Sequence, residues 1–253
     1  MPTQQPKLRI FDDPDELARG AAEEFAERVA SKVESGECFT VALSGGSTPK
    51  RLYKLLAGEP YLGRVPWQKV HFFWGDERAV PPNHPDSNFG AAYETLLAKI
   101  SVPPGNIHRI RAELGDPAEA AADYEDELRR FFRLSDGEFP RLDLVFLGMG
   151  TDGHTASLFP GSEALAEARR LVVAPWLEKL EAHRVSLTCP VFNNAACTMF
   201  LVSGEEKSET VRLVLEGPDE PARYPAQLIR PEAGELVWYL DRSAGRTLRR
   251  ERG

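Results

Sequence analysis

The stretch Cys38-Phe-Thr-Val-Ala-Leu43, followed at once by Ser44-Gly-Gly-Ser-Thr-Pro49, decides the fold. The first six residues read as a short apolar strand, and Leu52, Leu55 and Leu56 then mark a helix that stops near Gly58. Thr48 is placed to cap that helix with Pro49 behind it, while Gly45 and Gly46 let backbone N–H groups approach a ligand at the helix N-terminus. A helix start so arranged cradles phosphate, whereas a bare tight turn of the same sequence binds nothing. The loop lacks the Gly-Lys-Ser/Thr ending of a nucleotide P-loop.

The alternation continues on either side. Asp13-Pro14-Asp15-Glu16 offers an N-cap, a proline at the first helical position and a glutamate placed to reach back. Leu17, Ala21, Phe25 and Val29 then recur every four residues, which predicts an amphipathic helix to about Ser35. Asp116-Pro117-Ala118-Glu119 repeats the signal ahead of Tyr124, Leu128, Phe131 and Phe132. Further short apolar strands are expected from Val70 to Trp74, Leu142 to Leu147, Thr198 to Val202 and Leu236 to Leu240. Strands alternating with helices predict an α/β fold, a doubly wound, largely parallel sheet with helices on both faces, here with a small additional β-containing subdomain. No repeat, low-complexity tract or linker divides residues 1–253, so a single domain is expected.

The chain of 253 residues is long enough to bury a sizeable core. With 31 basic and 39 acidic residues its formal charge is −8, and 42% hydrophobic with 28% charged residues is the balance of a soluble globular protein. An acidic surface repels phosphodiester backbones, so nucleic acid is not an expected partner and any phosphate must be gripped locally. No apolar run approaches the roughly 18 residues of a membrane span, and Met1 to Lys7 lacks the apolar core of a signal peptide, so a cytoplasmic location is expected. Cys38, Cys189 and Cys197 form no C-x-x-C pair and read as plain buried thiols. His71, His84, His108, His154 and His183 never fall at H-E-x-x-H spacing, which removes the commonest single-helix zinc site and leaves only a metal assembled from distant residues.

In open α/β sheets ligands bind beyond the carboxyl ends of the strands, so the loops there carry the functional information. After Val70 to Trp74 come Gly75-Asp76-Glu77-Arg78, whose charges suit sugar hydroxyls or a developing oxyanion, although a solvated salt-bridge cluster is the plainer reading. Ser87, helped by Asn88, is placed to cap a helix that includes Tyr93, Leu96 and Leu97. After Leu142 to Leu147 stands Gly148-Met-Gly-Thr-Asp-Gly153, a formal G-x-G-x-x-G, but Pro160-Gly161 cuts short the long helix that a dinucleotide fingerprint requires. What that loop offers is His154, set beside Asp152 and Thr155 and suited to exchange protons near neutral pH.

Ser203-Gly-Glu-Glu206 reads as a capping box that places Lys207 in a first helical turn. A cation there opposes the helix dipole by about 0.3 kcal/mol or more unless an anion sits nearby. Arg184 opens the alternating strand Arg184-Val-Ser-Leu-Thr188 and reaches the ligand end only if that strand runs antiparallel to its neighbours. The charged segment from Arg246 to Gly253 is expected to be a frayed, solvated tail.

With these loops assembled, the chain resembles the glucosamine-6-phosphate isomerase/6-phosphogluconolactonase family, and its lactonase branch most closely. The resemblance rests on Ser44 to Pro49, Trp74 to Arg78 with Pro85 to Asn88, Leu147 to Gly161, Val202 to Gly204 with Lys207, and Pro225-Ala-Gln-Leu228. It implies hydrolysis of 6-phospho-D-glucono-1,5-lactone to 6-phospho-D-gluconate in the pentose phosphate pathway, without metal or organic cofactor, on the fold shared with glucosamine-6-phosphate deaminase. By the same match His154 is the general base, with Asp76 or Asp152 to orient it, and Arg78 is the lactone-side electrostatic ligand. Ser44, Gly45, Gly46, Ser47, Thr48, Arg184 and Lys207 are then the phosphate grip. The expected partner is a small phosphorylated sugar lactone, met by a monomer.

The chemistry agrees with these residues, since ester hydrolysis needs a base for water and positive charge for the oxyanion but no covalent nucleophile. Ser44 lies outside a G-x-S-x-G elbow. Two rivals are an amino-sugar-phosphate isomerase or deaminase, with Asp76 abstracting a carbon-bound proton, and a non-catalytic sugar-phosphate sensor. Arg78 stands where the deaminase pattern usually has an aromatic residue, and a sensor's output module would find little chain left over.

Overall fold

The structure, a computed structural model, describes residues 6–178 and 181–249. In chain order its first half contains β1 (Lys7–Phe11), α1 (Pro14–Glu34), β2 (Phe39–Leu43), α2 (Ser47–Leu56), α3 (Tyr61–Arg64), β3 (Val70–Trp74), β4 (Asp76–Arg78), α4 (Asn88–Thr95) and α5 (Pro117–Phe132). There follow β5 (Leu144–Leu147), β6 (Val172–Val173), β7 (Trp176–Leu177), β8 (Ala182–Leu187), α6 (Cys189–Asn194), β9 (Cys197–Val202), α7 (Ser208–Glu216) and β10 (Glu235–Asp241).

Every residue of β2, β5 and β9 is buried, which a strand achieves only when both faces of its sheet are covered. These strands form the middle of a six-stranded sheet in the order β1-β10-β9-β5-β2-β3, and every neighbouring pair is parallel. A second sheet places β8 between β4 and β6, with β7 also paired to β8, all antiparallel. This is the small β unit expected from the sequence.

Gly75 is the joint between the sheets. Its N–H donates to Leu43 O at the end of β2, and its carbonyl accepts from Leu187 N of β8. The chain leaving β3 therefore enters the antiparallel sheet directly.

Local signals explain the long helices. Asp13 Oδ1 accepts hydrogen bonds from Asp15 N and Glu16 N at 2.8 Å, a cap worth about 1 kcal/mol, and Leu17, Ala21, Phe25 and Val29 are all buried. Glu16 does not reach back to close a box; its carboxylate accepts from Arg19 at 2.6 Å. In α5, Asp116 caps through Ala118 N, Tyr124 and Leu128 are buried, and Phe131 and Phe132 pack against the core.

Several expectations change. The edge strand β1 has no counterpart in the sequence reading, because pairing with β10 rather than apolar character defines it and both Leu8 and Ile10 are exposed. Cys38 is exposed, not buried; only Cys189 and Cys197 are buried, where desolvation pushes both thiols up to about 11. Part of the supposed frayed tail is docked: Thr247 Oγ1 donates to Ser208 O, Arg249 N donates to Glu216 Oε1, and Leu248 packs on the core. The rest of that tail, 250–253, lies outside the described residues. Among the described residues no helix is long and apolar enough to cross a membrane.

Candidate active site

Parallel strands deliver the ends of β2, β3, β5 and β9 to one edge of the sheet, and the loops singled out from sequence meet there. Beyond β5, His154 Nδ1 lies 2.5 Å from Asp152 Oδ1, and the His154 ring stacks on Phe159 with centroids 4.0 Å apart. Burial opposes ionisation of Asp152, but the hydrogen bond and charge of His154 outweigh it and hold the carboxyl below its usual value. An ionised carboxylate only accepts hydrogen bonds, so the proton of neutral His154 sits on Nδ1 and Nε2 presents a lone pair. Of the two carboxylates that could orient His154, Asp152 is the one in contact. The residues after Gly153 form turns, not the long helix of a dinucleotide site.

The other carboxylate, Asp76, is buried and committed elsewhere. Its Oδ2 accepts from Ser157 Oγ at 2.7 Å and its Oδ1 from Asn88 Nδ2 at 3.2 Å. Glu77, also buried, faces away from the cavities and accepts from Arg78 N, Asn88 N, Phe89 N and Ser87 Oγ, closing the start of α4. Burial nonetheless raises its carboxyl above the ordinary range. Ser87 caps α4 as expected, accepting from Gly90 N.

The glycine loop departs from expectation in detail. α2 begins at Ser47 with Gly46, at φ +107°, in the capping position, so Thr48 is not the cap; its hydroxyl instead pairs with Ser203 Oγ at 2.8 Å. That pairing also removes Ser203 from the expected capping box. Glu205–Lys207 form a separate 3-10 turn, and Lys207 stands at the start of α7. Burial pushes its ammonium below the usual lysine value, with Glu206 and Asp241 opposing the shift. At Gly45 a β-carbon would overlap the Asn88 side-chain oxygen.

Strand β8 does run antiparallel to its neighbours, which meets the condition set for Arg184. Arg184 is the direct cross-strand partner of Arg78. Burial, and after it the charge of Arg78, lower the Arg184 pKa. Among the described residues neither arginine nor Lys207 makes an ion pair. Arg78 Nη1 donates to the carbonyl of Asp86.

Two cavities meet at these side chains. One, of about 220 Å3, is lined by Ser44 to Pro49, Gly148 to Gly150 and Lys207. The other, of about 320 Å3, is lined by Thr151, Asp152, Ser157, Phe159 and Arg184. Asp76, Arg78, His154 and Ala156 border both. Arg184 is therefore brought to His154 rather than to the wall formed by the glycine loop and Lys207. A larger open groove of about 1010 Å3 touches this set only at Asp152 and Phe159 and is lined by neither His154 nor Arg78, Arg184 or Lys207. Among the described residues no three His, Cys, Asp or Glu side chains cluster as a metal site.

Sequence reasoning did not single out Phe159, Ser157 or Asn88 for the site. Phe159 and Ser157 lie within the segment from Leu147 to Gly161, but stacking on His154 and bonding across to β4 follow from a turn that spacing does not disclose.

A family model described as "Glucosamine-6-phosphate isomerases/6-phosphogluconolactonase" matches residues 12–238. A 6-phosphogluconolactonase of Synechocystis sp. is 44% identical over 210 residues, covering 83% of this chain and 85% of that one. A 6-phosphogluconolactonase of Nostoc sp. is 40% identical, covering 95% and 98%. The solved 6-phosphogluconolactonase from Trypanosoma cruzi superposes with a TM-score of 0.86 at 29% identity, over 98% of this chain and 99% of that one. The loops that converge on His154 thus lie within a match spanning nearly the whole chain, and the chain belongs to the glucosamine-6-phosphate isomerase/6-phosphogluconolactonase family.

Proposed function

We propose that residues 1–253 act as one sugar-phosphate lactonase domain, hydrolysing 6-phospho-D-glucono-1,5-lactone to 6-phospho-D-gluconate with His154 as general base. The observation that carries this reading is the His154–Asp152 pair, 2.5 Å apart, at the junction of two cavities with three cations that have no ion-pair partner among the described residues. Relatives at 38–44% identity are named 6-phosphogluconolactonases, and the reaction is that of the lactonase branch.

His154 Nε2 takes a proton from water as the oxygen attacks C1. The carbonyl oxygen becomes an oxyanion beside Arg78, and the C1–ring-oxygen bond then breaks as the proton on His154 passes to the departing ring oxygen. The new carboxylic acid ionises to the product. Positioned base catalysis of this kind contributes roughly 10²–10⁴-fold, and the fixed guanidinium adds electrostatic stabilisation without reorganisation. Asp152 holds the tautomer and steadies the imidazolium.

Ser44 to Thr48 and Lys207 hold the phosphate at the other end. Ser44 Oγ is buried there with no hydrogen-bond partner among the described residues, a cost of about 1–3 kcal/mol that a ligand oxygen offsets. Arg184, across from Arg78, adds a second guanidinium to the adjoining cavity, beside His154 rather than beside Lys207. Phosphate binding remote from C1 then works as positioning.

The deaminase alternative needs a free Asp76 carboxylate, whereas both Asp76 oxygens already accept hydrogen bonds. We further propose that the enzyme acts in the cytoplasm as a monomer and binds no nucleic acid. Its −8 charge supports the last point, and its large exposed apolar side chains, Leu8, Ile10, Tyr93 and Trp176, are spread over three elements. The direct test is to generate the lactone with glucose-6-phosphate dehydrogenase and follow its loss with and without the protein. An unchanged rate overturns the assignment.

A further inference from the structure

The motif Pro225-Ala-Gln-Leu228 has no part in the mechanism above, yet it sits directly behind it. Pro225–Leu228 form a short 3-10 turn, and Gln227 within it is buried. The Gln227 amide is fully used: Oε1 accepts from Glu220 N at 2.8 Å, and Nε2 donates to Leu213 O at 3.2 Å and Pro218 O at 3.0 Å. All three partners are backbone atoms in the last turns of α7 and the segment leaving it. Gln227 therefore locks the turn to α7 at one spacing.

Each of the two locked elements holds one carbonyl of the His154 loop. From α7, Thr210 Oγ1 donates to Thr151 O at 2.7 Å. From the turn, Ala226 N donates to Gly153 O at 2.9 Å. Tyr224 lies against Gly153 so closely that a β-carbon there would fall 2.9 Å from its ring, and Gly153 has φ +79°. The two gripped carbonyls flank Asp152, whose carboxylate meets His154 Nδ1. Backbone placement on both sides fixes where that carboxylate stands, and the Asp152 side chain adds only two short torsions of its own.

We infer that Thr210 and Gln227 are positioning residues for catalysis, forming a clamp that sets Asp152 against His154. The inference rests on the reading of His154 as the base. Displacing a catalytic group by about an ångström costs on the order of a hundredfold in rate, so the clamp should be visible in turnover and not only in stability.

The test compares wild type, Thr210→Val, Thr210→Ser, Gln227→Leu and His154→Ala on the phosphorylated lactone, with folding followed by circular dichroism. Thr210→Val keeps the side-chain shape but loses the donor. It should lower kcat about tenfold or more, leave KM within about twofold, and move the acid limb of the pH–rate profile downward, because a loosened Asp152 stabilises the imidazolium less. Thr210→Ser restores the donor and should recover most of the lost kcat. Gln227→Leu should act in the same direction if it folds; the Thr210 pair carries the test if it does not. A folded Thr210→Val enzyme with wild-type kcat and acid limb overturns the clamp, as does a rise in KM alone. Near-wild-type turnover by His154→Ala would instead overturn the base reading, so the two failures are told apart.

Discussion

Arg78 and Arg184 face each other directly across the β4–β8 ladder, two guanidiniums in register with no carboxylate paired to either among the described residues. Like charges opposed in this way cost roughly 0.2–1 kcal/mol. The ligand-free protein bears that cost, and a bound anion removes it.

Arg184→Gln should therefore raise the Tm of the ligand-free protein by about 1–3 °C while lowering activity. Because Arg184 shares a cavity with His154, kcat should fall as well as KM rise. Thermal melts with and without 6-phosphogluconate check this: the product should stabilise wild type more than the variant. A variant no more stable than wild type when ligand-free would show that the opposed charges are not strained.

His154→Ala should remain folded and lose roughly 10²–10⁴-fold in kcat above the spontaneous background. Asp152→Asn should fall between that variant and wild type and move the acid limb of the rate profile to lower pH, since the imidazolium loses its counter-charge. Initial rates across a pH series measure both effects.

Lys207→Met removes a charged hydrogen-bond donor from the cavity wall while keeping its apolar stem. KM for the phosphorylated lactone should rise by about 10- to 100-fold, with kcat changed much less and hydrolysis of unphosphorylated glucono-1,5-lactone unaffected. Because burial lowers the Lys207 pKa, product binding by wild type should also weaken on the alkaline side sooner than an ordinary lysine would allow. Calorimetry with 6-phosphogluconate at rising pH reads this directly, and Lys207→Met should lose that limb.

Outside the lining of both cavities, His71 Nδ1 meets His108 Nε2 at 3.1 Å, and His108 Nδ1 meets Glu127 at 2.7 Å. Burial first, and then His108, push the His71 pKa below its ordinary value of 6.5. The folded state then binds fewer protons than the unfolded one, so the stability His71 contributes is present above about pH 6.5 and is lost as pH falls through the lowered value. His71→Gln keeps a donor for His108 but does not titrate. Its Tm should decline less than that of wild type between pH 7.5 and 5.5; equal declines would assign the acid sensitivity elsewhere.

The main sheet was legible because its strands are buried on both faces and so appear as unbroken apolar runs, and because Asp13 and Asp116 announce their helices. β1 and the short strands β4, β6 and β7 were not, since each is held by its partner's backbone rather than by a pattern of its own. Within the site, the loops that supply His154, Arg78 and the glycine segment follow from strand ends. The contact of Asp152, not Asp76, with His154 depends on where Ser157 and Asn88 lie, and those positions are set by long-range packing that one sequence does not display. Thr48 and Ser203 misled the sequence reading because both have the chemistry of helix caps, yet they satisfy each other across 155 positions of chain.

The Asn88 side chain occupies the place where a β-carbon at residue 45 would stand, while its amide nitrogen reaches Asp76. A glycine at position 45 is thus favoured by α4, whose Asn88 borders the same cavity and is held there by Asp76, whatever the substrate. Selection for a new anion specificity that randomises only Ser44 to Thr48 should keep returning glycine at 45. Larger residues become accessible there only when position 88 shrinks in the same variant, so the two sites form one evolutionary unit although they lie on different elements.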